Sequence, residues 1–140
     1  MNEPYRALEH VLDQRVPVYV QAHDFPDHDA VGSGFALQQL LTARGYTASL
    51  CYGGRIDSHS LLDSMDELGV DAIHLRSLPR DANGQRVLVD GFSGSSLMTE
   101  LDHAPVRAVV DHHRPPQPPE AEFSDIRPDY GSCSTIIFEY

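Results

Sequence analysis

Three short stretches hold most of the side chains that could do chemistry. HDFPDHDAVGSG, residues 23–34, supplies His23, Asp27 and Asp29 just ahead of Gly32, Ser33 and Gly34. VDG, residues 89–91, supplies Asp90, and DHH, residues 111–113, supplies Asp111, His112 and His113. Gathered in one place, these carboxylates would repel one another. Protonation relieves that only through large pKa shifts, whereas divalent cations relieve it directly. A mixed carboxylate and imidazole set without thiolate favours Mn²⁺, Mg²⁺, Co²⁺ or Fe²⁺ over structural Zn²⁺. There are ligands enough for two ions. Two ions about 3.5–4 Å apart would activate a bridging hydroxide and clamp phosphoryl oxygens.

Each stretch also has a plain structural reading. Asp ahead of a helix is a common cap, Asp-Gly after a strand is a common turn, and a single Asp–His pair is ordinary. The plain readings weaken jointly, because all three stretches end apolar runs with β character. Residues 16–22, 86–89 and 106–110 read as buried strands. Further strands are expected at 47–52, 70–75 and 124–127. Helices are expected at 5–14, 34–44 (stopped by Gly45), 58–68 (stopped by Gly69), 93–101 and from Ser132 to Tyr140. The prolines of RPPQPPEAEF, residues 114–123, make that segment a loop. Strands alternating with helices predict an α/β fold, a mostly parallel sheet with helices on both faces. In such a sheet ligands bind beyond the carboxyl ends of the strands, where His23, Asp90 and Asp111 all fall.

Gly32-Ser33-Gly34 is expected at the N-terminus of a long helix, where free N–H groups and the helix dipole favour phosphate. It is neither a dinucleotide fingerprint, since position 37 is Leu, nor a P-loop. Ser132 to Thr135 reads first as a helix cap and second as a further phosphate contact. His10, His28, His59, His74 and His103 read as surface or incidental groups.

The 140 residues suit one domain, and at 41% hydrophobic they can form a core. The formal net charge of −11 argues against a surface built on basic patches for long nucleic acid. A small anionic substrate fits better, with metal ions supplying the positive charge. Cys51 and Cys133 lie far apart and read as free thiols in a reducing compartment. MNEPYRALEHVLDQ is neither a signal peptide nor a membrane span, so a cytoplasmic protein is expected.

The order of these stretches resembles the DHH family of phosphoesterases over nearly the whole chain. HDFPDHDAVGS is similar to the family's first motif, VDG to its second and DHH to the triplet that names it. YGSCST, residues 130–135, is similar to the small-residue segment of the nanoRNase and pAp-phosphatase branch. The resemblance implies a two-metal site, typically of Mn²⁺, with Mg²⁺ or Co²⁺ as substitutes. His23 and Asp27 would bind one ion, Asp29 and His112 the other, and Asp90 would bridge them. His113 would lie near the phosphate, and Asp111 would orient the motif from behind the ligands. The implied substrates are short oligonucleotides, pAp or linear or cyclic dinucleotides. Inorganic pyrophosphate or polyphosphate is an alternative, and a non-catalytic metal- or nucleotide-binding module is a second. Long single-stranded DNA, as for RecJ-type exonucleases, ranks lower, no long duplex DNA is expected, and a homodimer stays open. The family carries a further aspartate ligand downstream of the triplet and a smaller C-terminal domain. The last helix reaches Tyr140 without a cap, so the chain is expected to be the N-terminal part of a longer protein.

Overall fold

A computed structural model describes residues 2–80 and 83–140. Six strands run in chain order: β1 (Val18–Ala22), β2 (Ala48–Tyr52), β3 (Ala72–His74), β4 (Gln85–Val89), β5 (Val106–Asp111) and β6 (Phe123–Ile126). The helices are α1 (Glu3–His10), α2 (His28–Ala43), α3 (His59–Leu68) and α4 (Cys133–Phe138), with a 3₁₀ turn at Leu75–Ser77. The strands form one parallel sheet in the order β3-β2-β1-β4-β5-β6. The chain thus winds one way from β1 to β3 and the other way from β4 to β6. The reversal falls between β1 and β4, and there the connections diverge and leave a crevice at the carboxyl ends.

Alternation along the strands separates two faces. Val18, Val20, Ala22, Val87, Val89, Ala108 and Val110 face a core shared with Tyr5 and Leu8 of α1, Leu37 and Leu41 of α2, and Ile136 and Ile137 of α4. On the same face, Leu61 of α3 packs with Leu50 of β2 and Val31 of α2. The opposite face, with Tyr19, Cys51, Leu88 and Val109, is covered by Leu75, Leu78, Met98 and Ala104 from segments that are not α-helical. Both faces are covered, but the four α-helices lie on one of them.

The helix expected at 93–101 is accordingly absent, and the segment runs through turns. Its opening residues Ser93, Gly94, Ser95 and Ser96 are poor helix formers, and Gly94 sits at φ 85°. Its carbonyls are instead taken by buried side chains of the sheet. Gln21 donates through Nε2 to Thr99 O at 2.7 Å, and Arg86 through Nε to Ala104 O, just past the segment, at 2.6 Å. Arg86 also donates to Gln21 Oε1 at 3.0 Å and to Glu100 Oε2 at 2.9 Å. These bonds satisfy two large polar side chains on an otherwise apolar face.

A second correction concerns α2. It begins at His28, capped by Asp27, whose Oδ1 accepts from Ala30 N at 2.9 Å. Gly32, Ser33 and Gly34 therefore lie inside the helix, and Val31 N already bonds Asp27 O. Gly34 serves packing. A Cβ there would come within 2.5 Å of Leu50 Cδ1 and 3.4 Å of Val89 Cγ2, so its absence lets α2 rest on the sheet. Elsewhere the differences are small. The first helix stops at His10, the expected 70–75 strand narrows to Ala72–His74, and Gly69 closes α3 at φ 63°.

Candidate metal centre

Strand register brings the three stretches together. Ala22 pairs with Val89, and Val89 with Val110. The residues that follow, His23, Asp90 and Asp111, therefore emerge side by side. Asp90 is the pivot. Its backbone turns left-handed at φ 56° while its N–H still bonds Val110 O at 3.0 Å. Asp tolerates that region better than most residues, yet the conformation costs about 1–3 kcal/mol. Asp90 is 3% exposed, and its Oδ1 has no hydrogen-bond partner among the described residues.

Among the described residues, two clusters of three candidate ligands share this carboxylate. One is His23, Asp27 and Asp90, and the other is Asp90, His112 and His113, each with ligand atoms within 4.8 Å of one another. His23 Nε2 lies 3.8 Å from Asp27 Oδ1 and 3.6 Å from Asp90 Oδ2. His112 Nε2 lies 3.3 Å from Asp90 Oδ1 and 3.6 Å from Asp29 Oδ2. Ligands bound to one ion at roughly 2.1 Å sit about 3 Å apart, so the spacing suits cations between them.

The imidazoles are oriented for this. His23 Nδ1 pairs with Asp24 O at 2.8 Å, and His112 Nδ1 with Tyr130 O at 3.2 Å, which leaves each Nε2 for the cluster. Asp111 is fully buried, and its Oδ1 accepts from His112 N at 2.8 Å, His113 N at 3.2 Å and His113 Nδ1 at 2.8 Å. One carboxylate thus fixes the backbone turn and the His113 ring together. Asp29 is held from α4, where Oδ2 accepts from Cys133 N at 2.8 Å and Oδ1 from Ser134 N at 2.9 Å and Ser134 Oγ at 2.6 Å.

The four residues expected to bind phosphate have other partners. The buried Ser33 hydroxyl donates to Asp29 O at 2.7 Å. Ser132 caps α4, its Oγ accepting from Thr135 N, and Ser134 holds Asp29. Gly32 N–H lies within the helical bonding of α2. Asp29 itself touches His112 but belongs to neither three-ligand cluster. Of the remaining histidines, His28 bonds Ser60 Oγ at 3.1 Å and His74 bonds Gly54 O at 2.8 Å. Neither cluster contains His10, His59 or His103 either.

Burial and neighbouring carboxylates shift the groups of the centre. Burial raises the Asp90 pKa, with Asp29 and Asp27 adding to it and His23 opposing. His23 is raised to about 9, first by the Asp90 carboxylate beside it. Neighbouring carboxylates push both groups upward, on top of the burial that dominates at Asp90, and a cation would oppose that push. Asp29 goes the other way. Burial works to raise it, but the bonds from Ser134 and Cys133 prevail and hold it below the usual carboxylate range.

Sequence reasoning missed three supports of this centre, Asp24, Tyr130 and Cys133, and expected Ser134 to bind phosphate rather than to hold Asp29. The three act through backbone atoms that any residue type possesses, so residue identity gave no signal. Larger clefts of about 380 and 560 Å³ lie elsewhere and contain none of the ligand candidates.

A family model described as "DHH family, N-terminal domain" matches residues 17–140. An uncharacterised protein of Methanocaldococcus jannaschii is 25% identical over 128 residues, covering 91% of this chain and 26% of that protein. The crystal structure of an exopolyphosphatase-related protein from Bacteroides fragilis superposes with a TM-score of 0.61 at 17% identity. It covers 99% of this chain and 44% of that one. That likeness shows the fold. The chain spans about a quarter of the curated relative and less than half of the solved one.

Proposed function

This chain belongs to the DHH family, and on that premise we propose that it forms the metal-binding half of a phosphoesterase acting on short oligonucleotides, pAp or dinucleotides. One observation carries the reading: a buried, backbone-strained Asp90 shared by two clusters of candidate ligands, with an oxygen that no described residue hydrogen-bonds. Such an atom costs stability unless something else meets it. Mn²⁺ fits this mixed oxygen and nitrogen donor set, with Mg²⁺ or Co²⁺ as alternatives. When bound, divalent ions polarise phosphoryl oxygen and lower the pKa of water.

The remaining contributions come from the chain. His23 and Asp27 hold one side, His112 and Asp29 the other, and Asp90 joins them. Asp111 engages Nδ1 of His113, leaving Nε2 of this exposed ring toward the crevice, where it can hand a proton to a departing ester oxygen. Inorganic polyphosphate is a same-chemistry alternative, favoured only by the description of the structural neighbour. A non-catalytic binding module is the rival from another class.

The test counts Mn²⁺ bound per chain and assays hydrolysis by the full-length protein, each against Asp90→Ala. Loss of both ions and of turnover, with the fold intact by circular dichroism, supports the enzyme. Unchanged turnover in the variant overturns it, and metal binding without turnover in the unaltered protein favours the binding module.

A further inference from the structure

The helix that supports the His112 side cannot hold itself in place. α4 has six residues, Cys133–Phe138, and helices shorter than about 12–15 residues are marginal on their own. Its N-terminal end grips Asp29 through Cys133 N, Ser134 N and Ser134 Oγ. The loop ahead of it holds His112, whose Nδ1 meets Tyr130 O at 3.2 Å. Ile136 and Ile137 anchor α4 in the core. Apolar burial has no direction, so the orientation of the helix falls to polar groups.

Those groups converge on Arg127. Its backbone N–H donates to Asp111 O at 2.9 Å, extending the β5–β6 ladder past Ile126. Its guanidinium forks onto Asp125, Nε to Oδ1 and Nη2 to Oδ2, each at 2.8 Å. Nη1 donates to Tyr130 Oη at 3.2 Å and to Glu139, the residue that closes α4. The guanidinium carbon lies 5.1 Å from the centre of the Tyr130 ring. Tyr130 Oη donates in turn to Glu139 Oε1 at 3.0 Å, and Tyr140 Oη to Asp125 Oδ2 at 2.9 Å. One cation thus joins β6, the loop before α4 and the far end of α4. The rigid fork of arginine suits that task, whereas an ammonium lacks it.

We propose that Arg127 is a positioning residue of the metal centre, fixing Tyr130 O for His112 and the α4 N–H groups for Asp29. The inference goes beyond the metal-centre reading, and only its calorimetric test rests on that reading. Arg127 belongs to neither ligand cluster. Without its charge, the Asp125 and Glu139 carboxylates lose their common counter-ion. Glu139, with a side chain 42% exposed, then turns to water, and the loop and α4 lose one tether together.

The test uses the full-length protein, metal-free, with ¹⁵N-labelled histidine. At about pH 8, where an ordinary imidazole is neutral, the ring shifts report which nitrogen carries the proton. His112 should carry it on Nδ1. Arg127→Gln should mix the His112 tautomers and leave the signals of His23, held by Asp24 O, unchanged. In calorimetry, the ion that Asp29→Ala removes should bind Arg127→Gln about tenfold more weakly, the lower end of what residues behind metal ligands supply. The other ion should keep its affinity. Leu75→Val, on the opposite face of the sheet, should lower Tm without either change. Glu139→Gln cuts the same tether from α4 and should move both readouts the same way, which decides the matter if Arg127→Gln does not fold. Either readout unchanged in the folded variant overturns the proposal, as do equal changes in Leu75→Val. Absence of Mn²⁺ binding by the unaltered protein overturns the metal-centre reading, and the His112 tautomer then decides alone for or against Arg127.

Discussion

The two clusters around Asp90 are built to different standards. On the His112 side, Asp29 is held by three bonds from α4, and Asp111 accepts three bonds in full burial. On the His23 side, Asp27 has a side chain 66% exposed and one bond, the cap to Ala30. His23 is steadied there only through the Asp24 carbonyl and the carboxylates it faces. The supported side draws on β5, α2, α4 and the loop before α4, while the other sits on one loop. Preorganised ligands lose little entropy on binding, so the supported side should bind its ion tightly and the loop side more weakly.

The largest effect is expected where the sides meet. Asp90→Asn can keep the left-handed turn, because Asn also tolerates that region. It should abolish Mn²⁺ binding to both clusters in calorimetry while circular dichroism stays unchanged. If one ion survives, Asp90 is not shared and the comparison breaks.

Next in size is the support of the His112 side. Asp111→Asn, which weakens the hold on His113, should lower metal affinity about 10–100-fold. Ser134→Ala, which frees Asp29 Oδ1 of its 2.6 Å bond, should cost about 1–2 kcal/mol of stability, read as a lower Tm.

Protons sharpen the contrast further. The His23 pKa of about 9 means the ring is charged at pH 7 before a cation binds, and the cation must displace that proton. Apparent affinity on the His23 side should therefore rise about tenfold per pH unit and level off above about 9. Calorimetry at pH 6, 7 and 8 checks the slope. A flat profile would mean that His23 is not a ligand.

The smallest effect separates two roles of one residue. Asp27→Ala removes both ligand and cap and should cost about 1 kcal/mol of stability. Asp27→Ser restores the cap alone. Its Tm should recover while its metal affinity stays low.

Much of this was legible in the chain. His23, Asp27, Asp90 and the DHH triplet announce themselves by residue type, and strands before each of them follow from runs of β-branched and apolar residues. The parallel sheet followed from alternation of elements, and the sheet's carboxyl edge located the centre. The crossover through 93–101 was illegible for a physical reason. Its course is set by Gln21, which lies 78 residues from Thr99 in sequence and takes its carbonyl, and by the buried Arg86, which bonds Glu100 and Ala104. The glycines of 32–34 misled because small residues serve anion binding and close packing equally. Only the 2.5 Å approach of Leu50 to the missing Cβ of Gly34 tells them apart.

The sequence by itself therefore determined the types of the candidate ligands, their order and the strands that deliver them, because these depend on local side-chain chemistry and periodicity. No membrane-crossing helix is present among the described residues either, as the apolar runs are too short. Tertiary structure decided which oxygen of Asp90 is left without a partner among the described residues and which carboxylate is held by α4. Those depend on atoms more than a hundred residues apart, as between Asp29 and Ser134, and on backbone groups that every residue carries.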